Sequence, residues 1–134
     1  VTATDFLVAR EMLDADVASR SLGIELLELS AGGARASMTV TPEMANGYSI
    51  THGGYVFMLA DTTFALACNS HDEPAVAARA DIRYLRSTTV GDVLIAEAVE
   101  RARYGRNGIY DVTVTRDGDV VAEFRGDSRT LSRR

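Results

Sequence analysis

The segment Asn46-Gly47-Tyr48-Ser49-Ile50-Thr51-His52-Gly53-Gly54-Tyr55-Val56-Phe57-Met58-Leu59-Ala60-Asp61 contains two features that need a physical cause. The first is His52-Gly53-Gly54, which stands where an apolar run with helical character begins. The first amides of a helix have no intrahelical partner and the helix dipole favours negative charge there, so such an end can hold an oxyanion. Gly53 and Gly54 carry no Cβ, and a carbonyl group could approach their amides without a clash. The same two glycines would also serve a plain turn, with His52 capping the helix or packing inside.

The second feature is Asp61, set in the middle of the apolar run. An unpaired carboxylate there costs several kcal/mol or shifts its pKa upward. One resolution is a structural carboxylate satisfied by Thr62, Thr63 or a partner backbone; the other is an active carboxylate, because perturbed acids cluster at functional sites.

Spacing links the two. If Gly53 starts the helix, Asp61 lies roughly 12 Å further along at 1.5 Å per residue, whereas a base or nucleophile and an oxyanion donor must each come within about 3 Å of the reacting group. One copy of the helix cannot supply both. Two copies paired antiparallel across a two-fold axis would bring Gly53 of one chain beside Asp61 of the other and create two identical sites. A catalytic reading therefore entails a dimer.

The elements that must hold these residues follow from the rest of the pattern. Thr4-Asp5 resembles a helix cap, and Phe6, Ala9, Leu13 and Val17 recur at helical spacing before Leu22-Gly23, which predicts a short amphipathic helix. Ile24 to Leu29 and Ala34 to Val40 read as a hairpin turning at Ala31-Gly32-Gly33. A loop from Thr41 to Gly54 leads into Tyr55 to Ser70, a helix without a polar face that must be surrounded by protein. Strands follow at Ala75 to Arg86, Asp92 to Arg103, Ile109 to Arg116 and Val120 to Thr130, the last two joined by Asp117-Gly118, a strong hairpin signal. With no crossover helices the sheet should be antiparallel, and one sheet wrapped round the apolar helix is the simplest way to hide it. The expected fold is α+β, a single domain over residues 1–134.

Composition narrows the function classes. The chain has 134 residues, 46% of them hydrophobic, enough for one core. Fourteen basic against nineteen acidic residues give a net charge of -5, the wrong sign for gripping nucleic acid phosphates. Cys68 is the only cysteine, which suits a reducing cytoplasm, and Val1 to Arg10 has no signal-peptide pattern. The apolar run is shorter than the roughly 20 residues a membrane-spanning helix needs. A soluble cytoplasmic protein is expected. His52, Asp61, Cys68 and His71 have ligand-type atoms without a metal-site spacing, so no metal is expected.

The ordered set Leu22-Gly23-Ile24, Asn46-Gly47, His52-Gly53-Gly54, Leu59-Ala60-Asp61-Thr62, Ala67-Cys68-Asn69-Ser70, Leu85-Arg86, Gly91-Asp92, Gly108-Ile109-Tyr110-Asp111 and Phe124-Arg125-Gly126 resembles the hotdog-fold acyl-CoA thioesterases of the phenylacetate degradation pathway, the PaaI type. The resemblance implies a curved antiparallel sheet around a long helix, dimers joined sheet edge to sheet edge, and dimers paired into homotetramers. It implies hydrolysis of aryl-acyl-CoA thioesters such as phenylacetyl-CoA or hydroxyphenylacetyl-CoA to free acid and coenzyme A, without a cofactor. Carried over, the Gly53 amide would polarise the thioester carbonyl, and Asp61 of the neighbouring chain would attack it or activate water. Asn46 and His52 would stand beside the reacting group, and Gly54, Tyr48, Phe57 and Phe64 are candidates for substrate contact, the three aromatics for a pocket that accepts a ring. Arginines on or next to the strands could meet the coenzyme A phosphates, with none singled out.

Two rival functions use the same residues. Some hotdog proteins hydrate or dehydrate acyl thioesters with a His and a carboxylate, which His52 and Asp61 would provide. A non-catalytic acyl-CoA binding module would keep the pocket and lack turnover.

Overall fold

The computed structural model describes residues 5–131. In chain order the elements are α1 (Leu7–Ala15), α2 (Val17–Ser21), β1 (Glu25–Ser30), β2 (Gly33–Thr39), a 3-10 turn at Pro42–Met44, α3 (Gly53–Cys68), a second 3-10 turn at Asn69–His71, β3 (Ala75–Tyr84), β4 (Val93–Tyr104), β5 (Asn107–Arg116) and β6 (Asp119–Thr130). The six strands form one sheet in the order β1-β2-β4-β5-β6-β3, every neighbouring pair antiparallel. Register shifts at Leu26/Glu28, Ala77/Arg79 and Glu100/Ala102 are the kind of irregularity that bends strands and increases their twist. The resulting curved sheet lets α3 touch all six strands.

Alternation sets which face meets the helix. Ala34, Ala36 and Met38 on β2, Leu94, Ala96 and Ala98 on β4, and Tyr110, Val112 and Val114 on β5 are buried, while their neighbours face outward. Ala36 pairs with Ala96 and Ala34 with Ala98, a block of small side chains that leaves room for α3. From the helix, Leu59, Phe64 and Leu66 are almost fully buried, each contributing about 1.5–3 kcal/mol of hydrophobic stabilisation. Phe64 rests on Gly126, where a Cβ would stand 2.8 Å from its ring.

The N-terminal region departs from the single helix that its periodicity predicts. Asp16 leaves helical geometry, ends α1 and caps α2 by accepting the Ser19 amide at 3.0 Å. Ala9 is buried, and Phe6 and Leu13 pack on the core, but Val17 lies beyond the break and is 77% exposed. The cap expected at Thr4 falls outside the described residues, and the residue preceding α1 is Phe6, in left-handed geometry with φ 57° and no side-chain cap bond. Elsewhere, the strand expected to reach Arg86 ends at Tyr84, and Asp117-Gly118 turns with both φ values positive, as a tight two-residue hairpin requires.

The helix expected to be enclosed on all sides is not fully enclosed by the described residues of its own chain. Gly54, Met58, Asp61 and Ala65, spaced four, three and four residues apart, form one stripe of α3 that is exposed at Gly54 and only partly covered at the others. At the sheet margin, β3 is largely exposed along its length, with Val76 at 48%. No helix among the described residues is long and apolar enough to cross a membrane.

Candidate active site

The loop before α3 is held as a rigid approach to the helix. Asn46 Oδ1 accepts the backbone amides of Tyr48 at 2.9 Å and Ile50 at 3.3 Å, and the Asn46 amide donates to the Ile50 carbonyl at 2.7 Å. Asn46 thus organises the turn that carries Tyr48, whose own side chain is 88% exposed. The Thr51 amide donates to the Thr88 carbonyl at 2.8 Å, the two threonine hydroxyls lie 2.6 Å apart, and the His52 amide donates to the Met44 carbonyl at 2.7 Å.

His52 is the cap of α3. Its Nδ1 accepts the Gly54 amide at 3.0 Å, and its carbonyl accepts the Tyr55 amide at 3.0 Å. With Nδ1 acting as acceptor, the neutral imidazole bears its proton on Nε2. Of the first three helix amides, Gly54 and Tyr55 are therefore engaged, whereas the Gly53 N–H has no acceptor among the described residues. A free amide at the positive end of a helix of sixteen residues is suited to a developing negative charge.

Gly53 meets a neighbour that the sequence did not disclose. The Tyr84 hydroxyl donates to the Gly53 carbonyl at 2.8 Å, and a Cβ on residue 53 would lie 2.9 Å from the Tyr84 ring. The space freed by the missing side chain, expected from sequence to admit a carbonyl, is thus taken up on that side by Tyr84.

Asp61 lies eight residues along the helix, partly exposed, and no group among the described residues donates a hydrogen bond to it or forms an ion pair with it. Thr62 and Thr63, the two side chains that could have satisfied it, are engaged elsewhere: Thr62 Oγ1 lies 2.8 Å from Ser19 Oγ, and the Thr63 hydroxyl donates to the Leu59 carbonyl at 2.7 Å. Burial first, and the Asp16 carboxylate second, push the Asp61 pKa above the ordinary aspartate value. Asp16 accepts the Ser19 hydroxyl at 2.6 Å, so Asp16, Ser19 and Thr62 form a chain of hydrogen bonds ending next to Asp61.

Two cavities flank the start of α3. One, of about 390 Å³, is lined by Asn46, Gly53, Val56, Tyr84, Arg86 and Thr88 among others; the other, of about 480 Å³, is lined by Leu22, His52, Gly54, Tyr55 and Met58 among others. Asp61 lines neither. The single chain brings Asn46, His52, Gly53 and Gly54 together and leaves Asp61 apart. Of the proposed ring contacts, Phe57 is half-buried, edge-on to Phe124 at 5.4 Å, and Phe64 is core, 1% exposed and packed against Tyr110 and Phe124.

Residues 48–123 match the model of the thioesterase superfamily. The chain is 41% identical over 124 residues to the acyl-coenzyme A thioesterase PaaI of Escherichia coli K12, covering 92% of this chain and 89% of that one. The chain belongs to the thioesterase superfamily. It is a thioester hydrolase of the PaaI type, and its architecture is the hotdog fold: the structure of the Escherichia coli PaaI protein from the phenylacetic acid degradation operon superimposes with a TM-score of 0.92 at 39% identity, over 95% of this chain and 93% of that one. A Streptococcus mutans protein bound to acetyl CoA superimposes with a TM-score of 0.78 at 27% identity, over 83% and 90% of the two chains.

Within this thioesterase, three residues around the site escape sequence reasoning. Tyr84 gives no signal, being one aromatic at the end of a strand. Asp16 and Ser19 do give one, since Asp-x-x-Ser is the spacing of a helix cap, and it marks the break in the N-terminal helix. Cys68 sits near the end of the same helix, but burial pushes its thiol up to about 12, which leaves it protonated and inert.

Proposed function

We propose that the chain hydrolyses aryl-acyl-CoA thioesters, such as phenylacetyl-CoA or hydroxyphenylacetyl-CoA, in an active site shared between two subunits. One observation carries the reading: among the described residues, nothing engages the Gly53 amide or the Asp61 carboxylate of α3, and the two are too far apart to act together within one chain. The half-open stripe of Gly54, Met58, Asp61 and Ala65 supports a second copy lying antiparallel on α3, and the exposed edge strand β3 supports joining of the two sheets. In that arrangement the dimers pair further into a tetramer.

In the reaction, the thioester oxygen is received by the Gly53 amide as the carbonyl carbon turns tetrahedral. Asp61 of the other subunit either attacks that carbon, giving an anhydride that water opens, or takes a proton from the attacking water. The C–S bond breaks, coenzyme A leaves as the thiolate and is protonated, and one water is consumed per acid released. Asp61 is suited to either part because no group among the described residues of its chain holds the carboxylate. His52 presents Nε2–H and Asn46 fixes the loop beside the amide.

The coenzyme A portion is supported by the acyl-coenzyme A thioesterase relative and by the acetyl CoA bound to the Streptococcus mutans protein. Preference for a ring is supported by the phenylacetic acid degradation operon of the Escherichia coli protein. A panel of acyl-CoA thioesters followed by thiol release tests it: phenylacetyl-CoA should be turned over faster than medium straight-chain acyl-CoAs, and equal kcat/KM values would remove the aryl assignment.

A further inference from the structure

We propose that Tyr84 is a positioning residue for the Gly53 amide, acting as the side chain that Gly53 lacks. Glycine has no Cβ to lock its backbone, so an N–H meant to meet a developing oxyanion needs support from outside the residue. Here the peptide unit that follows Gly53 is held at both ends. Its carbonyl oxygen accepts the Tyr84 hydroxyl at 2.8 Å, and its N–H, that of Gly54, donates to His52 Nδ1 at 3.0 Å. The Tyr84 ring closes the third side, lying 2.9 Å from the ideal Cβ position of residue 53. One Cα away, the Gly53 N–H is left without an acceptor among the described residues. That N–H belongs to the preceding peptide unit, whose carbonyl, that of His52, accepts the Tyr55 amide at 3.0 Å; with the planes on both sides of the Gly53 Cα held, the direction of the N–H is set before substrate arrives, which is how a preorganised donor lowers a barrier.

The donor role is robust to pH, since partial burial pushes the Tyr84 phenol above its ordinary value and keeps its proton in place. Tyr84 belongs to the end of β3 while Gly53 begins α3, so the clamp ties the sheet to the helix tip inside one chain. Tyr84 also lines the cavity that contains Gly53 and Asn46.

The inference rests on the reading of Gly53 as the oxyanion donor, and its test separates the two. Tyr84→Phe removes the hydroxyl and keeps the ring; kcat for acyl-CoA hydrolysis should fall roughly tenfold with KM changed less than about twofold, because the loss is felt in the transition state. Thermal midpoint and oligomer size should match the parent protein, and Tyr84→Leu, which removes the flat ring as well, should fall further in kcat. Asp61→Asn is assayed alongside. A dead Asp61→Asn with a fully active Tyr84→Phe would overturn the role of Tyr84 alone, and so would a Tyr84→Phe loss confined to KM. A fully active Asp61→Asn would overturn the underlying site.

Discussion

Ser19 Oγ and Thr62 Oγ1 lie 2.8 Å apart, both side chains buried, and this bond fastens α2 to the helix that carries Asp61. Ser19→Ala leaves the Thr62 hydroxyl without that partner, at an expected cost of about 1–3 kcal/mol in urea unfolding. Combining it with Thr62→Val should cost less than the sum of the two single changes, because the second removes the orphaned group. Additive losses would show that the two hydroxyls do not cooperate.

Asp61 should trade stability for chemistry. Its carboxyl titrates above the ordinary value in the folded chain, so the folded state binds more protons than the unfolded one between the two pKa values, and stability falls as pH rises through that window. Asp61→Asn, which cannot ionise, should therefore be more stable than the parent at pH 7 and lose that advantage below the ordinary aspartate value of 3.8, where both side chains are neutral. Hydrolysis should drop by ~100-fold or more. Thermal midpoints across pH check the first part; a variant less stable at pH 7 would mean that the carboxylate has a stabilising partner.

Asp111 is expected to behave in the opposite sense. The Arg125 and Arg101 guanidinium groups hold its carboxyl down to about 2, with contacts of 2.6 Å and 2.7 Å. The stability it provides should be present above the ordinary value of 3.8 and vanish as pH falls through about 2. Asp111→Asn should thus be less stable than the parent at pH 7, with the gap closing in acid, as pH-dependent unfolding will reveal; a gap independent of pH would point to packing instead of charge.

Phe64 should act on stability and not on substrate choice. Phe64→Ala empties a site beside Tyr110, Phe124 and Gly126 and is expected to cost about 3–5 kcal/mol. Phe64→Leu is milder and should leave the ratio of phenylacetyl-CoA to straight-chain acyl-CoA turnover unchanged. A shifted ratio would return Phe64 to the acyl pocket.

Much of this molecule is legible in its sequence where the signal is local. The Asp117-Gly118 hairpin, the apolar helix and the His52-Gly53-Gly54 helix start each depend on neighbouring residues, and each is found where the pattern puts it. Asp16 ends one helix and caps another, which overrides the periodicity that included Val17. The contact between Tyr84 and Gly53 spans 31 residues and exists because β3 ends beside the tip of α3, information that neither segment contains. Phe64 and Phe57 look alike along the helix, but only burial against the sheet separates a core ring from a half-open one.

The shared site is tested most directly by subunit complementation. Asp61→Asn and Gly53→Pro are made in separately tagged chains; proline is tolerated at the first position of a helix and has no N–H, and the half-exposed Tyr84 can turn aside from its ring. Each variant alone should be nearly inactive, while the purified mixed dimer should regain about half of parental turnover, because one of its two sites pairs an intact Gly53 with an intact Asp61. A mixed dimer as inactive as its parents would contradict a site built from both subunits.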